Sequence, residues 1–175
     1  MNLSVSSAKI AATPSRDNTR KPVDMVVFSG ANNIAVVGLA KNSGKTVALN
    51  AIIKRAQASG MRIGVASSGR DGEKLDAVTH LPKPRIEVQK GALVATAERL
   101  AMSASASLEP LIKTGHVTVL GRLIIYRVNS PGAIEVASGN KAQVVKSVTE
   151  LMRHLGAELI VIDGGKGQLH AATES

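Results

Sequence analysis

The stretch that decides the fold is NIAVVGLAKNSGKTVALNAIIKRAQASG, residues 33–60. It begins with a short apolar run, Ile34 to Val37, and continues through a turn rich in Gly, Asn and Ser. A segment with helical spacing of apolar residues follows. Those apolar residues are Leu49, Ile52, Ile53 and Ala56. The order of strand, small-residue turn and amphipathic helix is typical of a phosphate-binding segment.

The turn carries the residue types of a P-loop. Small residues let the main chain approach an anion, so that backbone amides donate to phosphate oxygens at the positive end of the next helix. We predict that Lys45 reaches the β and γ phosphate oxygens and that Thr46 offers its hydroxyl to Mg²⁺. Five residues, and not the usual four, separate Gly38 from Gly44. The predicted nucleotide-binding residues are Gly38, Ala40, Lys41, Asn42, Ser43, Gly44, Lys45, Thr46 and Val47.

Composition narrows the class of protein. The chain has 175 residues, a formal net charge of +9 and no Cys, which excludes disulfides and Cys-based metal sites and favours a reducing, cytoplasmic setting. No apolar run approaches the roughly 20 residues needed to span a bilayer. The basic charge is compatible with a polyanionic partner, but Phe28 and Tyr126 are the only aromatic residues, which argues against a stacking platform for single-stranded nucleic acid.

Two regions are expected along the chain. Residues 1–31 are polar, basic and without a sustained period, and they are interpreted as a flexible leader in which Val26 to Phe28 add an edge strand. Residues 32–175 are interpreted as a nucleotide-binding domain that is truncated at its C-terminus, because little chain remains after Asp163 for an adenine-recognition loop.

The order of apolar runs and amphipathic segments along the rest of the chain predicts a three-layer α/β P-loop NTPase fold. Its sheet is expected to be mostly parallel, with an antiparallel β insertion. Buried strands are predicted at 61–66 and 159–162, a short strand at 86–88, helices at 92–102 and 144–155, and a hairpin within 116–137. Within the first of these helices, Thr96 and Glu98 are expected on the helix surface, with a position facing the nucleotide as the alternative.

Two acidic residues are candidates for the chemistry. Asp163 follows the apolar run Leu159 to Ile162, at the position where a carboxylate orients a Mg²⁺ ion beside Thr46. Asp71 lies in the polar stretch after the strand at 61–66, where doubly wound sheets place their ligands, and it is assigned the role of positioning the attacking water. The predicted metal ligands are Thr46 and Asp163, and the predicted catalytic residues are Lys45 and Asp71.

From about Ile34 to Gly164 the chain resembles the P-loop small subunit of the ATP-dependent reactivase of cobalamin-dependent lysine 5,6-aminomutase. The stretches that carry the resemblance are VVGLAKNSGKTVALN, SSGRDGE, PKPRIEVQKGALVATAE, GRLIIYRV and LGAELIVIDG. The resemblance implies a chaperone-like ATPase that uses ATP and Mg²⁺ to exchange inactivated cobalamin for fresh adenosylcobalamin. It also implies a cobalamin-dependent enzyme and a second reactivase subunit as partners, while homo-oligomerisation stays open.

Two other resemblances define alternatives. Gly38 followed by five residues and GKT is similar to the loop of dethiobiotin synthetase, which implies a ligase or kinase acting on a small metabolite. The ending IDGGKGQLHAA, residues 162–172, resembles a motif in the nuclease half of the excinuclease C subunit, where the Asp is a metal ligand. That second resemblance implies a DNA-processing fragment, and the other acidic ligands of such a nuclease have no counterpart in the sequence.

Overall fold

A six-stranded sheet, mostly parallel, lies between helices in the computed structural model, which describes residues 21–38, 44–68, 85–139 and 141–164. A separate two-stranded antiparallel sheet accompanies it. The helices are α1 Pro22–Val27, α2 Lys45–Ala58, α3 Glu98–Met102 and α4 Ala142–His154. The strands are β1 Asn33–Val37, β2 Ile63–Ser67, β3 Ile86–Val88, β4 Leu93–Ala97, β5 Ser107–Thr118, β6 Gly121–Ser130, β7 Gly132–Ile134 and β8 Leu159–Gly164.

The strand order of the large sheet is β1-β8-β2-β4-β6-β5. The first four strands run parallel, whereas β6 and β5 form an antiparallel hairpin that extends the sheet beyond β4. The small sheet pairs β3 with β7. The predicted α/β fold with a mostly parallel sheet and an antiparallel addition is therefore confirmed.

One face of the large sheet is covered by α2, with α1 beside it. Leu49 and Ile53 of α2 are almost fully buried, and they belong to one apolar cluster with Val65 of β2 and Val161 of β8. These side chains share one face because alternate residues of a strand point to the same side of the sheet. The small sheet adds Val88 and Ile134 to the same cluster.

The opposite face is covered by α4. Val148 and Met152 of this helix are fully buried in a second cluster with Ile160 of β8 and Ala66 of β2. Gly64 permits the close approach, because a Cβ atom there would lie 2.9 Å from the sulfur of Met152. Strands β2 and β8 are thus buried from both sides, which completes the three layers. No helix in the described ranges is long and apolar enough to cross a membrane.

The prediction of a helix over 92–102 was wrong in its first half. Residues Leu93–Ala97 form the fully buried strand β4, and only Glu98–Met102 are helical. A strand buried on both faces shows no alternation of apolar and polar residues, so a short run of this kind resembles a helix segment. Thr96 consequently lies in the sheet and is fully buried, not on a helix surface.

Val26 to Phe28 do not form an edge strand. Residues Pro22–Val27 form α1, with the proline in the first turn, where its missing N–H is not needed. The helix packs on α2 through an ion pair between Asp24 and Arg55, and the Arg55 guanidinium lies 4.9 Å from the centre of the Phe28 ring. Part of the predicted leader is thus tied to the core, while residues 1–20 lie outside the described ranges.

Candidate phosphate and metal site

The candidate site lies where the parallel strands reach their carboxyl ends. Asp163 is the fifth residue of the six in β8, and β8 lies between β1 and β2. In the register of the sheet, Asp163 is opposite Val36 of β1 and Ser67 of β2. The carboxyl end of β1 and the carboxylate of β8 therefore lie at the same edge of the sheet.

Helix α2 begins at this edge. Gly44 precedes it with φ +77°, a left-handed conformation that favours glycine because it has no Cβ. Gly44 offers no side chain to cap the helix, and the first turn contains no acidic residue. The first backbone amides of a helix have no partner within it, so this end presents N–H donors and a partial positive charge to an anion.

Lys45, the first residue of α2, turns its side chain onto the end of β8. Its Nζ lies 2.7 Å from Oδ1 of Asp163 and donates a hydrogen bond of 3.1 Å to the carbonyl of Gly164. The side chains of Lys45 and Asp163 are 29% and 26% exposed, so a ligand can reach both groups. The two residues predicted to act on the phosphates and on the metal thus meet directly.

The carboxylate of Asp163 depends on this lysine. Its Oδ1 is buried and, within the described ranges, makes no hydrogen bond apart from the ion pair with Lys45. The backbone of Asp163 is held separately, since its carbonyl accepts from the Ser68 amide at 3.0 Å and from the Ser67 hydroxyl at 3.2 Å. The strand end is therefore fixed by its backbone, and among the described residues Lys45 is the charged group that pairs with the carboxylate.

A short segment after β7, residues 135–139, borders the neighbouring strand ends. The Ser138 hydroxyl accepts from the Ser67 amide at 3.1 Å and donates to the Ala95 carbonyl at 2.8 Å. Thr96 adds a second attachment, because its hydroxyl donates to the carbonyl of Glu135 at 3.0 Å. The side chains of Ser138 and Thr96 are fully buried, so these contacts fix the segment against β2 and β4.

The sequence analysis did not identify Ser67, Ser138 or the Gly164 carbonyl as parts of this edge. Ser67 directly follows the apolar strand at 61–66, which was a usable signal for a residue at a strand end. No sequence pattern marks Ser138 in this way, because its place beside the end of β2 depends on hydrogen bonds to residues that are distant in sequence. A backbone carbonyl such as that of Gly164 has no signature in the sequence at all.

The predicted site residues divide into two groups. Gly38 directly follows β1, Gly44 and Lys45 begin α2, and Thr46 is half-buried in the first turn, whereas the side chain of Val47 is 75% exposed. Asp163 is the residue that the structure joins to Lys45. The other predicted residues lie outside the described ranges; they are Ala40, Lys41, Asn42, Ser43 and Asp71.

Two residues near this edge carry oxygen donors of the kind that Mg²⁺ prefers. Thr46, in the first turn of α2, has a hydroxyl, and Asp163, near the end of β8, has a carboxylate. Across the described segments, no group of three or more acidic or His side chains is arranged to hold a metal. A Mg²⁺ ion bound with a nucleotide does not require such a group, because one or two protein ligands are usually supplemented by phosphate oxygens and water.

Comparisons with known proteins return no assignment. The chain matches no family model, no curated protein and no solved structure.

Proposed function

We propose that this chain is a Mg²⁺-dependent, ATP-binding P-loop protein that hydrolyses ATP. The observation that carries the proposal is the 2.7 Å ion pair between Lys45, the first residue of α2, and Asp163, at the end of a central parallel strand. An anion bound at the start of α2 would meet backbone amides and the Lys45 ammonium together. These are the groups that a phosphate chain requires.

Each residue has a defined role in this proposal. Lys45 and the amides of the first turn bind and orient the β and γ phosphates, and they stabilise charge on the transferred phosphoryl group. Thr46 and Asp163 hold the metal directly or through water. When bound, Mg²⁺ supplies neutralisation of charge on the phosphate oxygens. Asp71 is assigned the positioning of the attacking water, by its place in the sequence alone.

The finer proposal concerns what hydrolysis serves. The resemblance of the sequence to the small subunit of the lysine 5,6-aminomutase reactivase supports an ATPase that reactivates a cobalamin-dependent enzyme, together with a second subunit. A small-metabolite ligase or kinase is the alternative with the same phosphate site. The two differ in what stimulates ADP release: a cobalamin enzyme in the first case, a small substrate without a protein partner in the second.

The test is titration of ATP with Mg²⁺ into the wild type and Lys45→Ala. We expect Lys45→Ala to weaken binding at least about 100-fold, because the phosphates lose their charged donor. Lys54→Ala is the matched control: it removes the same charge from an exposed position of α2, and its affinity should stay within about twofold of the wild type.

Absence of ATP binding by the wild type, or unchanged binding by Lys45→Ala, would contradict the proposal. The nuclease alternative predicts a different pattern, since metal-dependent nicking of DNA would persist in Lys45→Ala and disappear in Asp163→Asn. Measuring ATP binding and DNA nicking on the wild type, Lys45→Ala and Asp163→Asn separates the two functions.

A further inference from the structure

The two outer strands of the large sheet differ in how their outer edges are built. β5 contains Pro110 and Lys113, and shifts of register interrupt its pairing with β6. Proline, lysine and bulges are the features by which a sheet edge avoids pairing with another chain. β1, at the opposite edge, has the sequence NIAVV without proline or charge, and its register with β8 is unbroken from Asn33 to Val37. These are the properties of an edge that accepts a further strand.

We propose that β1 pairs with β1 of a second copy of this chain. The two strands run antiparallel about a twofold axis at Ala35, so that two six-stranded sheets join into one. The surface concerned is the β1 edge, defined by the backbone groups of Asn33, Ala35 and Val37. The inference does not depend on the proposed function.

The pairing of β1 with β8 fixes which backbone groups point outward. The Ile160 amide donates to the Asn32 carbonyl at 2.8 Å. The N–H and C=O groups of successive strand residues point to alternate sides, so the even-numbered residues of β1 face β8. Asn33, Ala35 and Val37 direct their N–H and C=O groups away from the sheet, and within the described ranges no hydrogen bond is made to them.

The β1 edge is complementary to itself. When Ala35 lies opposite the second copy's Ala35, Asn33 of each copy lies opposite Val37 of the other. All three positions are then hydrogen-bonded antiparallel pairs that exchange two bonds each, about six bonds in all. The small, exposed side chain of Ala35 does not obstruct the axis. A twofold contact of this kind closes on itself, which favours a dimer over a fibre.

Helix α1 lies on the β1 side of α2. Arg55 of α2 pairs with Asp24 of α1, whereas Asn50 of α2 accepts a hydrogen bond from the Glu87 amide of β3. Positions five residues apart are separated by about 140° around a helix, so α1 and β3 flank α2 on opposite sides. Only residues 89–92 separate β3 from β4, which places β3 towards the inner strands and α1 towards the β1 edge.

Helix α1 supplies apolar surface next to the β1 edge. Met25 and Phe28 are 58% and 54% exposed, and residues three apart share one face of a helix. A dimer of ordinary stability buries roughly 800 Å² on each partner, more than one short strand provides. In the joined sheet both copies of α1 lie on the same face, one on each side of the axis, where they enlarge the contact.

The first experiment measures the association constant of the full chain by sedimentation, without nucleotide. We expect the wild type to form a dimer. Ala35→Pro removes an outward N–H without breaking a bond to β8, and Ala35→Lys places two ammonium groups opposite each other. Each change should weaken the dimer at least about tenfold. Val117→Lys is the matched control, because it adds the same charge to an exposed residue of β5 and should leave the association constant unchanged.

The same measurement at higher salt gives a second sign. Each copy carries a formal net charge of +9, so repulsion opposes association. Because salt screens this repulsion, raising NaCl from about 0.1 M to about 0.5 M should strengthen the dimer.

A disulfide tests the register directly. The chain has no Cys, so Ala35→Cys introduces a single thiol. Hydrogen-bonded antiparallel pairs have Cα atoms about 5.5 Å apart, within the range that a disulfide spans. Mild oxidation should therefore link two copies of Ala35→Cys. Val119→Cys is the control, since this residue is 68% exposed at the hairpin turn and its thiol should stay unlinked.

Three results would overturn the proposal. One is a wild type that stays monomeric up to about 1 mM, well beyond the range of a specific dimer. Another is a dimer that neither Ala35→Pro nor Ala35→Lys weakens, or that forms no disulfide in Ala35→Cys. A third is a monomer that binds a different polypeptide and loses it in Ala35→Pro, which would assign the β1 edge to a strand of another protein. ATP binding is measured separately, so its absence in a dimeric wild type would overturn only the proposed function.

Discussion

The parallel and antiparallel parts of the large sheet are built on different burial patterns. Every residue of β2 and β4, and all but one of β8, is buried. In the outer strand β5, by contrast, exposed and half-buried residues are interspersed over twelve positions, with shifts of register against β6. Helices cover both faces of the inner strands β2 and β8, whereas β5 is the last strand of the sheet.

This difference explains where the candidate chemistry lies. A strand buried on both faces leaves no room for charged side chains except at its ends, and Ser67 and Asp163 lie at the carboxyl ends of β2 and β8. In the hairpin, β6 contributes a buried run from Leu123 to Tyr126, whereas the polar residues of β5 are spread along the strand. Lys113 and Pro110 in β5 also discourage further strand pairing at that edge. The hairpin extends the sheet to its last strand, β5, while the candidate site lies at the ends of the parallel strands.

The comparison predicts that shortening a side chain lowers the free energy of unfolding far more in the buried parallel strands than in β5. Ile160 of β8 is fully buried between β2 and α4, and Ile160→Ala should lower the free energy of unfolding by about 3–4 kcal/mol. Val117 of β5 is 73% exposed, and Val117→Ala should change it by less than about 0.5 kcal/mol. Urea unfolding checks both values. Equal losses would show that the hairpin is as tightly packed as the centre.

Gly132 in the small sheet and Gly115 in β5 are glycines for two different reasons. One position has no space for a side chain, and the other has a backbone conformation that disfavours one. A Cβ atom on Gly132 would lie 2.6 Å from backbone atoms of Ala106 and Ser105. Gly132→Ala should therefore lower the free energy of unfolding by about 2–3 kcal/mol. Gly115 in β5 has open space around it but a φ of +80°. Because a side chain disfavours that conformation, Gly115→Ala should lower the free energy of unfolding by about 1 kcal/mol. Urea unfolding compares them. The reverse order would mean that the segment at 105–106 shifts easily.

Two threonines make the same hydrogen bonds in the two parts of the sheet. The hydroxyl of Thr96, whose side chain is fully buried, donates to the Glu135 carbonyl and accepts from the Ala137 amide. The hydroxyl of Thr118, a half-exposed residue at the hairpin turn, makes an equivalent pair of bonds with the Gly121 carbonyl and the Leu120 amide. Thr96→Val should lower the free energy of unfolding by about 1–2 kcal/mol, because two part-buried backbone groups lose the hydroxyl of a fully buried side chain. Thr118→Val should cost less, because water replaces the hydroxyl. A larger loss at Thr118, measured by thermal unfolding, would contradict the comparison.

The smallest expected effect is a pH dependence at the junction of the two parts. Burial, followed by the negative charge of Glu98, raises the pKa of Tyr126 in β6. The unfolded chain ionises first, at about pH 10, so the stability contributed by the neutral phenol is present below that pH and is lost as the pH rises.

Tyr126 is the only tyrosine, so the ultraviolet absorbance of tyrosinate reports this group alone. Glu98→Gln should lower its pKa, whereas Glu150→Gln on α4 should leave it unchanged. An ordinary tyrosine titration in the wild type would contradict the burial of the ring.

Much of the fold was predictable because its signals are local. The helical spacing in α2 and α4, and the apolar runs of β1, β2 and β8, follow from contacts between each segment and one core. The hairpin was recognised because alternation and a tight turn around Gly121 lie close together in the chain. Lys45 and Asp163 were also predicted from local patterns: a Gly-rich turn that ends in Gly-Lys-Thr before a helix for Lys45, and an apolar run followed by an acidic residue for Asp163.

The failures share one physical origin. Strand β4 was predicted as a helix, since its five buried residues show no period that distinguishes the two. Helix α1 is only six residues long, too short to be stable by itself, and its contacts with Arg55 of α2 stabilise it. In both cases, partners distant in sequence decide the local structure.

The sequence by itself determined which groups are available: a glycine before a helix, a lysine in its first turn, and an aspartate after a buried strand. Only the tertiary structure decided that β8 lies between β1 and β2, that Lys45 reaches Asp163, and that Ser138 fastens the neighbouring strand end. The reason is that side-chain chemistry and hydrogen-bonding capacity are properties of single residues, whereas proximity across more than a hundred residues depends on the packing of the whole sheet.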